Sequence, residues 1–241
     1  MKAIFISDIH YQGKKDSRGH ILLRFFEEKF ENGDYLVIVG DFFDFWIGFP
    51  NYVYEEYREF LSGFEKIVFN KQIKIIYVEG NHDFFLGSYF SEKLKAHILS
   101  KPGIIHLFNK KIYLHHGDGI DKRSLLEKVI LKFLKSRFVY VLARFLGPRL
   151  TWSVGTYLSF QSRRAHGHVD TENVQNQYRA YAKNILQKEN ADFCIIGHIH
   201  IPDEIELLPE KTYFNVGDWL THQTYVEMKE GKIELKSYNS I

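Results

Sequence analysis

Short apolar runs recur along this chain, and each gives way to a polar cluster. Runs at 3–6, 35–39, 73–78 and 111–114 are rich in Ile, Val, Phe and Tyr, and a similar run follows at 193–196. Their length and β-branched content predict buried strands. Between them the apolar spacing turns helical. Leu22, Leu23, Phe26 and Phe30 mark a helix over 22–30, and Tyr57, Phe60, Leu61, Phe64 and Val68 mark another over 54–69. Gly33-Asp34 forms the turn into the second strand. Strands alternating with helices from residue 3 to about 118 predict a predominantly parallel, layered sheet.

After Asp118 the pattern changes. Residues 124 to about 145 read as a long helix with Gly147-Pro148 as its stop, and a polar stretch then runs through Arg163, Arg164, His166 and Gly167. Helical spacing returns from about 171 to 187, with Asp170 or Thr171 as N-cap. Residues 122–168 thus read as a helical insertion within one domain spanning 1–241. Segments at 212–215, 223–228 and 232–238 read as short, antiparallel strands.

Composition narrows the class. A chain of 241 residues, 45% hydrophobic and 16% aromatic, suits one large globular domain. Its net charge of +2 argues against a dedicated nucleic-acid binder, so no nucleic-acid partner is expected. The single cysteine, Cys194, lies in an apolar strand and fits a reducing compartment. No segment reaches the roughly 18 apolar residues of a membrane span, and the strand at 3–6 leaves no room for a signal peptide before it. A cytoplasmic protein is expected.

The candidate chemistry lies at the strand ends. The clusters are Asp8-Ile9-His10, Gly40-Asp41, Gly80-Asn81-His82-Asp83, His115-His116-Gly117-Asp118 and Gly197-His198-Ile199-His200. In an open α/β sheet, loops at the carboxyl ends of strands converge on one crevice. Mixed carboxylate, imidazole and amide donors suit a pair of divalent first-row metals. Adjacent His115 and His116 point in opposite directions on an extended segment, so one of them faces away. His20, His97 and His106 read as surface residues, and Asp83 as a brace for its own loop. His222, shortly after Gly217-Asp218-Trp219, is ambiguous.

In this order the clusters resemble the signature of the calcineurin-like metallophosphoesterase superfamily. The resemblance implies a four-layer α/β-β/α sandwich with a helical cap insertion. It also implies two divalent ions, manganese above iron, zinc or cobalt. Asp8, His10, Asp41 and His200 would hold one ion and Asp41, Asn81, His116 and His198 the other, with Asp41 bridging and His116 preferred over His115. His82 would face the phosphate as a catalytic imidazole, and Asp44 would pair with it to raise its basicity. Hydrolysis would proceed by a metal-bound hydroxide.

Within the superfamily the chain most resembles the UDP-2,3-diacylglucosamine diphosphatases of lipid A synthesis. Ser7-Asp8-Ile9-His10, Gly40-Asp41-Phe42-Phe43-Asp44-Phe45-Trp46, the insertion after His116-Gly117-Asp118 and the late Gly217-Asp218-Trp219 carry that likeness. It implies hydrolysis of a nucleotide-linked glycolipid to UMP and 2,3-diacylglucosamine 1-phosphate, on the inner face of a membrane. One departure stands out: the best-known such enzymes carry arginine after the metal-binding asparagine, where this chain has His82. A soluble phosphodiesterase or phosphatase acting on nucleotides or other small phosphoesters is the alternative. Leu125, Leu126, Val129, Ile130, Phe133, Leu134, Val141, Leu142 and Phe145 form a broad apolar face edged by lysines and arginines. Such a face predicts a lipid-facing cap, with Phe133 and Leu134 among its contacts. Arg123, Arg149, Arg163 and Arg164 are candidates for the diphosphate, since a guanidinium fork matches phosphate oxygens.

Overall fold

The computed structural model describes residues 1–120, 129, 132–165 and 171–238, the side chains of 160 and 162–165 excepted. β1 (Lys2–Ile6), β2 (Tyr35–Val39), β3 (Lys74–Val78), β4 (His97–Leu99), β10 (Thr224–Lys229) and β11 (Lys232–Ser237) form one sheet, ordered β11-β10-β1-β2-β3-β4. β5 (Gly103–Leu107), β6 (Lys110–His115), β7 (Phe193–Ile196), β8 (Asp203–Leu208) and β9 (Lys211–Asn215) form the other, ordered β5-β6-β7-β9-β8. The strands β1 to β4 are parallel, as are β6, β7 and β9; antiparallel strands lie toward the edges.

Side-chain alternation builds the layers. Ala3, Phe5, Val37, Val39, Ile76 and Val78 pack between the sheets against Ile112, Leu114, Ile195 and Phe214. Their neighbours Ile4, Ile6, Leu36, Ile38 and Ile75 turn outward beneath α1 (Arg18–Lys29) and α2 (Arg58–Asn70). On the second sheet Tyr113, Cys194, Ile196 and Tyr213 turn outward under α4 (Thr171–Lys188). Central strands buried on both faces must be apolar at every position, which is why these runs do not alternate with polar residues. The four expected layers are present.

The region after β6 differs from the expectation. The helix α3 (Arg137–Ala165) runs through Gly147-Pro148 and onward, where a stop and then a polar stretch were expected. The break itself is real: Gly147 has φ 76 and ψ 167, a non-helical geometry inside the element. Proline after it has the φ of a first helical residue, so the chain resumes a helix at once. The strands β4, β5 and β8 were also unforeseen.

α3 docks on the body through aromatic rings. Trp152 lies 4.8 Å from Tyr54, 5.0 Å from Tyr57 and 6.2 Å from Phe45, and Tyr140 lies 4.8 Å from Phe85. Its other side is open: Phe138, Val141, Leu150, Val154 and Tyr157 are exposed, and Phe145 is 89% exposed. Among the described residues, no helix is long and apolar enough to cross a membrane.

Phe214 is fully buried between the sheets. We expect Phe214→Ala to lower unfolding stability by about 3–5 kcal/mol through lost burial and a residual cavity. Denaturant unfolding measures it. A loss below ~1 kcal/mol would mean that the two sheets are not packed through this ring.

Candidate metal centre

The parallel strands of both sheets deliver their carboxyl ends to one place. Asp8 and His10 follow β1, Asp41 follows β2, Asn81 and His82 follow β3, His116 follows β6, and His198 and His200 follow β7. The backbone there is unusual. Asp8, His10, Asp41, His198 and His200 have φ between 47 and 75, the left-handed region that L-residues seldom adopt. Each costs about 1–3 kcal/mol and persists only where surrounding contacts over-determine it.

Those contacts cross between loops and between sheets. Asp8 N–H donates to Gly40 O at 3.2 Å, and His10 N–H to Asp41 O at 3.0 Å. Arg18 clamps the first loop, donating to Ile9 O at 2.7 Å and His10 O at 3.0 Å. The Asp83 carboxylate accepts from the backbone of Gly80, Asp41 and Phe42 and from the Tyr77 hydroxyl, tying the second and third loops together. It therefore braces more than its own loop. Across the sheets, His198 N–H donates to Asp8 Oδ2 at 2.7 Å and Gly197 N–H to His116 O at 2.8 Å.

The donor atoms form two overlapping groups. In the first, His200 Nε2 lies 3.4 Å from Asp8 Oδ1 and 3.3 Å from His10 Nε2, which is 3.8 Å from Asp41 Oδ2. In the second, His116 Nε2 lies 3.2 Å from Asp41 Oδ2, 3.0 Å from Asn81 Oδ1 and 3.3 Å from His198 Nδ1. Asp41 belongs to both. Asp8 Oδ1 is buried and has no hydrogen-bond partner. A buried, unsatisfied carboxylate oxygen is costly, and a cation is the partner that carboxylates and imidazoles around it can share.

Electrostatics agree with that donor set. Burial holds His10 well below its usual pKa, and burial with the nearby His116 charge holds His198 at about 3, so both imidazoles are neutral and able to donate a lone pair. Burial is the largest single influence on His116 and works against its charge, but the Asp41 charge and hydrogen bond, together with Asp8 and Asp118, push it up to about 10. Asp41 is held low despite burial, by His116 and His82. His116 and Asp41 thus stabilise each other's charge within the cluster.

His82 sits beside the first group. Its ring lies edge-on to His10, 4.8 Å between centroids at 89°, and its backbone N–H donates to Asp41 Oδ1 at 2.8 Å. Its Nδ1 is 2.9 Å from the carbonyl O of Asp44 and 2.9 Å from Ser159 Oγ. The expected Asp44–His82 pairing is thus corrected in kind, because the contact runs through the Asp44 carbonyl. The left-handed turn at Asp41 brings the following backbone, rather than the Asp44 side chain, to the ring. The Asp44 carboxylate instead meets Ser159 Oγ at 3.1 Å and approaches His10 Nδ1 at 4.0 Å.

A family model described as "Calcineurin-like phosphoesterase" matches residues 1–202. The chain belongs to that family. Curated relatives named UDP-2,3-diacylglucosamine hydrolase include one from Psychromonas ingrahamii, 26% identical across 98% of this chain and 96% of its own length. One from Aeromonas hydrophila is 25% identical across 99% of both. Among solved structures, wild-type Vps29 complexed with zinc from Entamoeba histolytica covers 98% of this phosphoesterase at 13% identity and a TM-score of 0.46. A calcineurin-like phosphoesterase is a metal-dependent hydrolase of phosphoesters.

The remaining candidate residues of this phosphoesterase are dispersed. His115 packs away from the cluster, 5.8 Å from the Tyr181 ring. His20, His97 and His106 are exposed. Phe133 is exposed, whereas Leu134 is partly buried against the core, which corrects its assignment to the open face of the cap. Arg149 is exposed just past the break in α3. Arg123 lies outside the described residues, as do the side chains of Arg163 and Arg164. Sequence reasoning overlooked Arg18 and Ser159. Both act through backbone or imidazole contacts that no local motif announces.

Gly197 tests how tightly the loops interlock. A Cβ there would lie 2.0 Å from Ser7 Oγ and 2.6 Å from Asp8 Oδ2. We expect Gly197→Ala to leave a folded phosphoesterase that loses at least half of its bound metal, because Asp8 must move. Elemental analysis of the purified variant checks this, and full metal content would refute it.

Proposed function

We propose that this phosphoesterase hydrolyses the diphosphate of UDP-2,3-diacylglucosamine, giving UMP and 2,3-diacylglucosamine 1-phosphate. The observation that carries the reading is the open apolar face of α3. Val141, Phe145, Val154 and Tyr157 stay exposed while Trp152 and Ser159 anchor the same helix beside the metal centre. Two acyl chains would cover such a face, as a hydrophilic substrate would not. Each acyl methylene buried contributes roughly 0.8 kcal/mol. The name shared by relatives that align over nearly the whole chain supports the same substrate.

In this reading Asp8, His10, Asp41 and His200 hold one divalent ion and Asp41, Asn81, His116 and His198 the other, manganese being the native metal. When bound, such a pair polarises phosphoryl oxygens and brings the pKa of a coordinated water toward neutrality. The chain's own contributions are distinct. Asp83 and Arg18 fix the loops that carry the donors. Val39 O, 2.8 Å from His116 Nδ1, holds that imidazole with Nε2 toward Asn81 and Asp41. The carbonyl of Asp44 can only accept, so Nδ1 of His82 carries a hydrogen and Nε2 is left for the substrate side. Nε2 is then the atom through which His82 exchanges a proton with a phosphoryl or leaving oxygen.

The inserted segment around α3 acts as a cap on one domain, and Arg149, Arg163, Arg164 and Arg123 are candidates to meet the diphosphate. The protein works in the cytoplasm, on the inner face of a membrane whose anionic surface suits Lys132, Arg137 and Arg144. His82 favours a second reading, a soluble phosphodiesterase or phosphatase, because it departs from the arginine of the diphosphatases. A manganese-supplemented panel of UDP-2,3-diacylglucosamine, UDP-N-acetylglucosamine, p-nitrophenyl esters and cyclic nucleotides decides between them. We expect turnover of the diacylated sugar to dominate; good activity on a soluble ester without it would favour the second reading.

Two sets of variants separate the roles. Asp41→Ala should abolish activity and empty both metal positions, whereas His82→Ala should keep its metals and lose about 10²–10⁴-fold in turnover. Metal analysis beside kcat distinguishes them, and metal loss in His82→Ala would make that residue a ligand. On the cap, Phe145→Ser and Val154→Ser should each lower kcat/KM on the diacylated substrate at least several-fold more than on a small phosphodiester. Equal losses on both substrates would rule out an acyl-binding role.

A further inference from the structure

We infer that Ser159, contributed by α3, is the positioning residue for His82, so that docking of the cap completes the catalytic assembly. The inference rests on the reading of His82 as a catalytic imidazole.

Ser159 is buried, with Oγ 2.9 Å from His82 Nδ1, 2.9 Å from Asp44 O and 3.1 Å from Asp44 Oδ1. A hydroxyl offers one hydrogen and two lone pairs. Both oxygens of Asp44 accept, so the hydroxyl hydrogen goes to Asp44 and a lone pair faces the imidazole. His82 Nδ1 must then be the protonated nitrogen. The Asp44 carbonyl, itself 2.9 Å from that nitrogen, imposes the same tautomer. Two acceptors on one nitrogen also limit rotation of the ring, and Nε2 is left toward the donor cluster. Asp44 keeps a part in this arrangement, through its carbonyl and by holding the serine.

The packing of the helix on the body places Ser159 to make this contact. Trp152, Gly155 and Ser159 recur at the spacing of one helical face. Trp152 lies among the Tyr54, Tyr57 and Phe45 rings. At Gly155 a Cβ would come within 2.2 Å of the Phe45 ring, so only glycine lets the helix approach this closely. One turn later Ser159 reaches the imidazole. Phe45 directly follows Asp44, so the loop that the helix packs on is the loop that holds His82. The neighbouring Tyr157 and Leu158 point outward, on the open side of the cap. A substrate seated on that side therefore lies on the same helix that orients the acid–base group.

The test is a double-mutant cycle in the metal-loaded enzyme. Ser159→Ala should lower kcat roughly 10–100-fold, the range for groups that orient a reacting residue, with KM and metal content unchanged, and Ser159→Thr should recover most of the loss. In a His82→Ala background, Ser159→Ala should cost nothing further, because its only route to the reaction is gone. Multiplying losses, or a raised KM with kcat intact, would overturn the inference and make Ser159 a direct substrate contact. Should Ser159→Ala lower the melting temperature by more than a few degrees, Ser159→Cys replaces it in the cycle. Normal turnover by His82→Ala would overturn the reading of His82 and this inference with it. If UDP-2,3-diacylglucosamine is not cleaved, the same cycle on bis-p-nitrophenyl phosphate still decides the serine's role, so a wrong substrate and a wrong positioning residue give different results.

Discussion

Burying the Asp8 and Asp41 carboxylates where the two sheets meet is the constraint on which the rest of the structure depends. An ionised carboxylate removed from water needs compensation. Asp41 finds part of it in His116 and in the backbone N–H of His82. Asp8 is satisfied on one oxygen, by Ser7 Oγ and His198 N–H, and unsatisfied on the other. Left-handed backbone at five of the donor positions adds strain to that desolvation. Both costs fall on the same loops, and the divalent cations proposed to sit between these groups would offset both. The dense packing of Phe5, Val37, Ile195 and Phe214 beneath gives the loops a floor that does not yield.

Much of this was legible in the sequence because burial on both faces leaves a plain signature. β1, β2, β3, β6 and β7 are apolar at nearly every position, and each donor cluster follows one of them. The edge strands lack that signature. β4 spans only His97–Leu99, and in β5 His106 faces solvent, so neither run stands out from loop. Gly147-Pro148 was a correct sign of a break and a misleading sign of an end. Nothing local distinguishes a proline that terminates a helix from one that opens the next.

The site divides along the same line. The proposed donor residues stand out in the sequence because metal chemistry restricts residue type, and the order of the clusters restricts it further. Arg18, Asp83 and Ser159 act by geometry instead. Arg18 is eight residues from His10 yet holds its carbonyl, and Ser159 comes from a segment whose sequence reads as polar and unremarkable. Such contacts appear only when the chain is folded, since any small hydroxyl at that turn of helix would look the same beforehand.

His82 draws these threads together. An arginine at its position would carry a fixed charge and reach the phosphate without help. An imidazole cannot: its charge and tautomer depend on what its second nitrogen meets. Here that nitrogen meets the Asp44 carbonyl and a hydroxyl delivered by the cap. A histidine at this position therefore makes the centre more dependent on its surroundings, and on α3 in particular. It follows that α3 cannot be judged by its open apolar face alone. One side of the helix is an open apolar surface, and the other holds Ser159 against His82, so α3 and the donor cluster share one interface.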